Sequence, residues 1–111
     1  MKFIECSIPA FVYQPVYEAG NLKRVSDISC TPVVAWAIAE EILTPVTCMG
    51  VVYSDHIIKH NCSDFYFCPD TQEEFMYLVK DARDGKLYPS NPSKAPELMI
   101  QKFQMMRDKK L

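Results

Sequence analysis

Residues 10 to 18 read AFVYQPVYE, an alternation of aromatic and aliphatic side chains with a proline in its middle. A period of two marks a strand with one buried face, and an internal proline confines such a strand to a sheet edge or splits it into two short ones. AGN at 19 to 21 predicts a turn, and LKRVSDI after it a returning strand. The next apolar run, TPVVAWAIAEEILTPVT from residue 31, supports two readings. As a helix, Thr31 caps it and Pro32 takes the first helical position. As a strand, Val34, Trp36 and Ile38 line one face and Val33, Ala35, Ala37 and Ala39 the other, a pattern that suits a central strand. Pro45 and the β-branched residues after it favour extended structure, so strand is the expectation, with Trp36 in the core. Glu40-Glu41 then stands where a tight turn suits Gly or Asn, and the hairpin register stays open.

The last third carries helical spacing. Asp70 with Glu73, or Thr71 with Glu74, forms a capping box. Phe75, Leu78, Val79 and Ala82 follow on one helical face, Glu74, Lys80, Asp81 and Asp84 lie on the rest, and Gly85 supplies a stop. KLYPSNPSKAP reads as a proline-punctuated loop. Ser93 caps a last helix, about residues 94 to 108, with Pro96 tolerated in its first turn. Ala95, Met99, Phe103 and Met106 form its stripe, and Arg107, Lys109 and Lys110 suit the negative end of its dipole. The fold class expected is α+β: a small antiparallel sheet of four to six short strands, followed by two C-terminal helices packed on one face, in a single domain over residues 1–111.

Composition narrows the function classes. The 111 residues are 49% hydrophobic and 12% aromatic, enough to build a core. A net charge of −2 provides no basic excess for general nucleic-acid binding. Glu5, Pro9 and Gln14 interrupt the apolar N-terminal stretch, so it does not read as a signal peptide, and no run reaches the length of a membrane span. The expected setting is cytoplasmic. Cys6, Cys30, Cys48, Cys62 and Cys68 are odd in number and lack a C-x-x-C pair, so each is expected to behave as a small buried hydrophobe in a reducing compartment.

The chemistry-bearing stretch is DHIIKHNCSDFYFCPD at 55 to 70, which holds both histidines and two cysteines. His56 and His60 share a face, and Cys62 and Cys68 could complete a tetrahedral set. Structural zinc usually pairs two short knuckles across a longer loop, whereas here the cysteines are six apart with FYF between them. The expectation is therefore folding without metal, with the histidines on a hairpin surface and Cys68 buried beside Tyr66, away from Phe65 and Phe67. A Cys–His pair drawn from Cys62 or Cys68 with His60 has no nucleophile elbow or orienting third group. Capping accounts for Asp55, Asp64, Asp70, Glu73 and Glu74. The three glycines are isolated, so no phosphate loop is present. No catalytic, cofactor-binding or metal residue is assigned, and the chain reads as non-enzymatic.

Val33-Val34-Ala35-Trp36-Ala37-Ile38, then Leu43-Thr44-Pro45-Val46-Thr47 and Gly50, resemble the core of small phage and prophage proteins of unknown function, over residues 32–70. The resemblance implies a phage-like context and a small α+β fold, and it brings no site residue with it. Six tyrosines and six methionines point to a binding protein. Tyr13, Tyr17 and Tyr88 are anchor candidates, although half-buried strand positions are the favoured explanation for most such tyrosines. Leu98 and Met105 flank the stripe of the last helix and offer a surface for a homodimer or a partner. The function expected is that of a phage-type accessory protein binding a protein partner, such as a host or defence component. The alternative is a small metal-binding or nucleic-acid-associated regulator.

Overall fold

Alternation governs far more of this chain than helical spacing does. In a computed structural model, which describes residues 2–80, 82–90 and 96–109, eleven strands precede one helix. They are β1 (Lys2–Glu5), β2 (Ala10–Glu18), β3 (Asn21–Pro32), β4 (Ala35–Ala39), β5 (Ile42–Thr47), β6 (Gly50–Val51), β7 (Ile57–His60), β8 (Tyr66–Cys68), β9 (Glu73–Phe75), β10 (Tyr77–Lys80) and β11 (Leu87–Ser90). The helix is α1 (Pro96–Lys109). Two antiparallel sheets run in the orders β1-β4-β5-β6 and β3-β2-β7-β8-β9, and β10 and β11 make a two-stranded ribbon.

The expected α+β fold with two C-terminal helices is therefore corrected to a mostly β fold with one. The helix read into residues 71–84 does not form. Either capping-box register needs Gln72 inside the first helical turn, at a φ near −63°. Gln72 instead has φ 59°, and its side-chain amide donates to the Pro69 carbonyl at 2.8 Å. Past this turn, FMYLV is a run of aromatic and aliphatic residues that fits a strand as well as a helix. The partner strand β11 decides between them, with Leu78 opposite Pro89 and Val79 opposite Tyr88. Gly85 is left-handed at φ 71°, but in the β10–β11 connection and not at a helix end. The segment read as a proline-punctuated loop thus contributes β11.

α1 forms where the sequence placed it. Met99, Phe103 and Met106 are buried along one stripe, and Arg107 and Lys109 lie in the last turn. Ser93, Ala95 and Lys110, like Asp81 of the other expected helix, lie outside the described residues.

Two more expectations change. β2 is a single nine-residue strand lying between β3 and β7, not an edge strand. Pro15 is accommodated because β7 pairs only with Ala10–Tyr13, so the proline's missing N–H falls beyond that ladder. The 31–47 run is strand, with β4 central in its sheet and Ala39 paired to Ile42 across a two-residue turn. That turn holds Glu40 at φ 50° and Glu41 at φ 67°. Both values belong to the left-handed region, where a residue other than glycine costs about 1–3 kcal/mol.

The chain forms two compact units, Met1–Gln14 with Cys30–Glu74, and Pro15–Ser29 with Phe75–Leu111. In the first, Ala10, Val12, Val33 and Val52 form a buried cluster against which Cys6 and Trp36 pack. The backbone passes from one sheet to the other at Val33–Val34: the Val33 N–H donates to the Ala10 carbonyl of β2, and the Val34 N–H to the Val46 carbonyl of β5. In the second unit, the Gln104 amide of α1 meets the backbone of edge strand β3. Its oxygen accepts from the Val25 N–H at 2.8 Å, and its nitrogen donates to the Lys23 carbonyl at 2.9 Å.

Candidate functional site

The register of the first unit brings two apolar faces to one opening. Across β2, β7 and β8, Val12 stands opposite Ile58 and Ile58 opposite Phe67, so these three share a face, and His60, paired with Ala10, lies on it too. Across β1, β4 and β5, Ile4 stands opposite Trp36 and Trp36 opposite Pro45, with Leu43 two residues along on the same face. An open cleft of about 820 Å³ is lined by Ile58, His60 and Phe67 of the first set and by Ile4, Trp36 and Leu43 of the second. The Trp36 and His60 rings lie 5.9 Å apart between centroids.

Several of the residues that line this cleft are apolar and exposed. Ile8 is 52% exposed, Ile42 64% and Leu43 52%. The polar lining includes Glu5 at the end of β1, Glu41 in the strained β4–β5 turn, Gln72 in its own left-handed turn, and Glu74 on β9. Trp36 was expected in the core. It is on the central strand, but half-buried: it packs against the Ala10–Val12–Val33–Val52 cluster and also lines the open cleft.

On the opposite face of β2, β7 and β8, Ile57, Tyr66 and Cys68 are buried and Phe11, Tyr13 and Lys59 half-buried. Tyr66 and Cys68 alternate inward with no exposure, as expected for β8, and Tyr13 lies against Tyr66 with ring centroids 5.9 Å apart. Burial, with the nearby Cys30 thiol and Asp64 carboxylate, pushes the Tyr66 hydroxyl up to about 12. Burial and a side-chain hydrogen bond with Cys30 raise Tyr13 further still.

The stretch 55–70 does not converge on a ligand set. No three His, Cys, Asp or Glu side chains among the described residues are grouped to hold a metal ion. His60 shares the cleft face with Ile58, whereas Cys68, adjacent to Phe67 in sequence, points to the other side of the sheet, which separates the Cys68–His60 pair. Cys62 lies exposed in the β7–β8 turn. His56 is half-buried, with Nδ1 2.8 Å from the Ser54 carbonyl; a carbonyl only accepts, so Nδ1 carries a proton.

The cysteines also depart from expectation: Cys68 is buried and Cys6 half-buried, but Cys30, Cys48 and Cys62 are exposed. Of the carboxylates read as helix-capping, Glu73 and Glu74 lie on β9, and only Glu74 reaches the cleft. Tyr17 is half-buried beneath Arg107, 5.8 Å from its guanidinium, and the Tyr88 side chain lies outside the described residues. Sequence reasoning missed Glu5, Ile8, Ile42 and Leu43 as site residues. The one local signal was Glu40-Glu41 in a turn that neither residue suits.

No family model matches this chain, and neither does a curated protein or a solved structure. Among the described residues, no helix is long and apolar enough to cross a membrane.

Proposed function

We propose that this chain acts by binding a protein partner, and that the cleft between its two sheets is the contact surface. The observation that carries the proposal is the cleft mouth itself. Ile8, Ile42 and Leu43 stand more than half exposed beside the half-buried Trp36. Folding gains little from apolar side chains left in water, whereas a partner that covers them gains their burial, with the tryptophan as a central anchor. The acidic rim disfavours a polyanion, in line with the net charge of −2.

The phage-type setting, with a host or defence component as partner, rests on the resemblance of residues 32–70. A cytoplasmic setting is supported by five free cysteines, three of them exposed. Leu98, 36% exposed, and Met105, 57% exposed, keep the last helix available for a second copy, as its two apolar stripes suggest.

Photo-crosslinking tests the cleft directly. A benzophenone amino acid replaces Ile42 or Leu43 in cells that produce the protein, and Leu22, exposed in the other unit, serves as control. A discrete protein adduct from positions 42 and 43 but not 22 is the expected result. No adduct, or equal adducts from all three, contradicts it.

A further inference from the structure

The cleft's chemistry narrows its occupant. Three carboxylates, Glu5, Glu41 and Glu74, lie among its lining residues, and no lysine or arginine does. The charge therefore has one sign around an apolar interior, and a low-dielectric wall strengthens its field at the mouth. The backbone around the cleft is also unusual. Glu40, Glu41 and Gln72 are all the non-glycine residues with positive φ among those described; Glu41 and Gln72 line the cleft, and Glu40 adjoins it. A two-residue turn of this shape suits Asn-Gly. Glutamate here adds strain and places a carboxylate at the rim, and strain of this kind gathers at ligand clamps.

We propose that the cleft takes a segment of a partner protein in which a large apolar side chain is flanked by lysine or arginine. The apolar cleft carries this inference, and its charge selects the occupant. The inference rests on the cleft being the binding surface. The anchor would enter between Trp36, Leu43 and Phe67, while the flanking cations meet Glu5, Glu41 and Glu74. Such a segment gains both apolar burial and complementary charge, whereas an acidic or phosphorylated one meets repulsion at each side.

Random dodecapeptides displayed on phage serve as the probe, since such a library samples every candidate segment without a named partner. They are selected on the immobilised chain, and those retained by the Ile42→Asp variant are discarded. The survivors should place an aromatic or aliphatic residue beside Lys or Arg. Their affinity, read by fluorescence anisotropy, should fall with added salt. A Glu5→Gln/Glu41→Gln/Glu74→Gln variant should bind about tenfold more weakly and lose most of that salt dependence, since solvent-exposed ion pairs are individually modest. Circular dichroism checks its fold; if the triple variant is unfolded, Glu74→Gln alone should reproduce part of the loss. Survivors without a basic bias, or an affinity that the glutamine variants leave unchanged, overturn the charge inference and leave the cleft reading standing. If no peptide depends on Ile42, both fall.

Discussion

The two compact units differ at their sheet edges. In the unit holding α1, the outer edge of β3 is answered by a side chain. Gln104 offers an acceptor to Val25 and a donor to Lys23, and its nitrogen also donates to Asp108 at 3.0 Å. An amide has the same donor and acceptor as a peptide group, so the helix supplies a one-residue imitation of a neighbouring strand, which blunts an edge open to foreign strands. In the unit holding the cleft, β1 is an edge strand with all four residues exposed, and Ile8, Ile42 and Leu43 stand uncovered. Where the fold needs closure, it uses specific polar geometry. Ile8, Ile42 and Leu43 have no such cover and line the cleft, the surface we propose for binding.

Substitutions can break this contrast at either end. The largest effect is expected at Phe103, fully buried on α1: Phe103→Ala should destabilise by about 3–5 kcal/mol in chemical denaturation. Alkaline pH should act through the face that carries Tyr13 and Tyr66. Unfolded tyrosine ionises near pH 10. In the folded chain Tyr66 holds its proton to about 12, so its contribution is complete below pH 10 and is lost as pH rises towards 12. A pH series of melting temperatures should fall across that window, less steeply for Tyr66→Phe.

Gln104→Ala removes the edge lock and leaves the Val25 N–H and the Lys23 carbonyl without their partner in α1. A loss of about 1–3 kcal/mol is expected, and no loss would show that water serves β3 equally well. Replacing Glu40-Glu41 by Asn-Gly relieves the turn and should stabilise by about 1 kcal/mol while weakening partner binding. Smallest of all, Ile42→Ser should stay within about 0.5 kcal/mol of the parent, because the side chain is already in water. A large loss there would mean that the cleft is core.

What the sequence made legible follows the range of the forces involved. α1 was legible because Pro96 near its start, the stripe of Met99, Phe103 and Met106, and the basic last turn all agree within one short segment. Residues 71–84 satisfied the same local tests, yet Glu73–Phe75 and Tyr77–Lys80 are strands, since the left-handed Gln72 and the pairing of Tyr77–Lys80 with Leu87–Ser90 override them. Tyr66 and Cys68 were legible as inward residues because a strand's period needs no distant information. The cleft was not legible, because Ile4, Trp36, Leu43, Ile58 and Phe67 meet only through the registers of several strands. The histidines and cysteines drew notice by residue type, yet the sheet sends His60 and Cys68 to opposite faces.

Trp36 gives the most direct test, as it is the sole tryptophan and part of the cleft wall. Iodide quenching of its fluorescence reads whether that wall is open to water. The free protein should quench partially, with emission between those of buried and solvated indole, and a bound cleft peptide should shift the emission to the blue and shield the ring. A fully blue-shifted, unquenchable tryptophan in the free protein would mean that the cleft is closed, and would contradict the account.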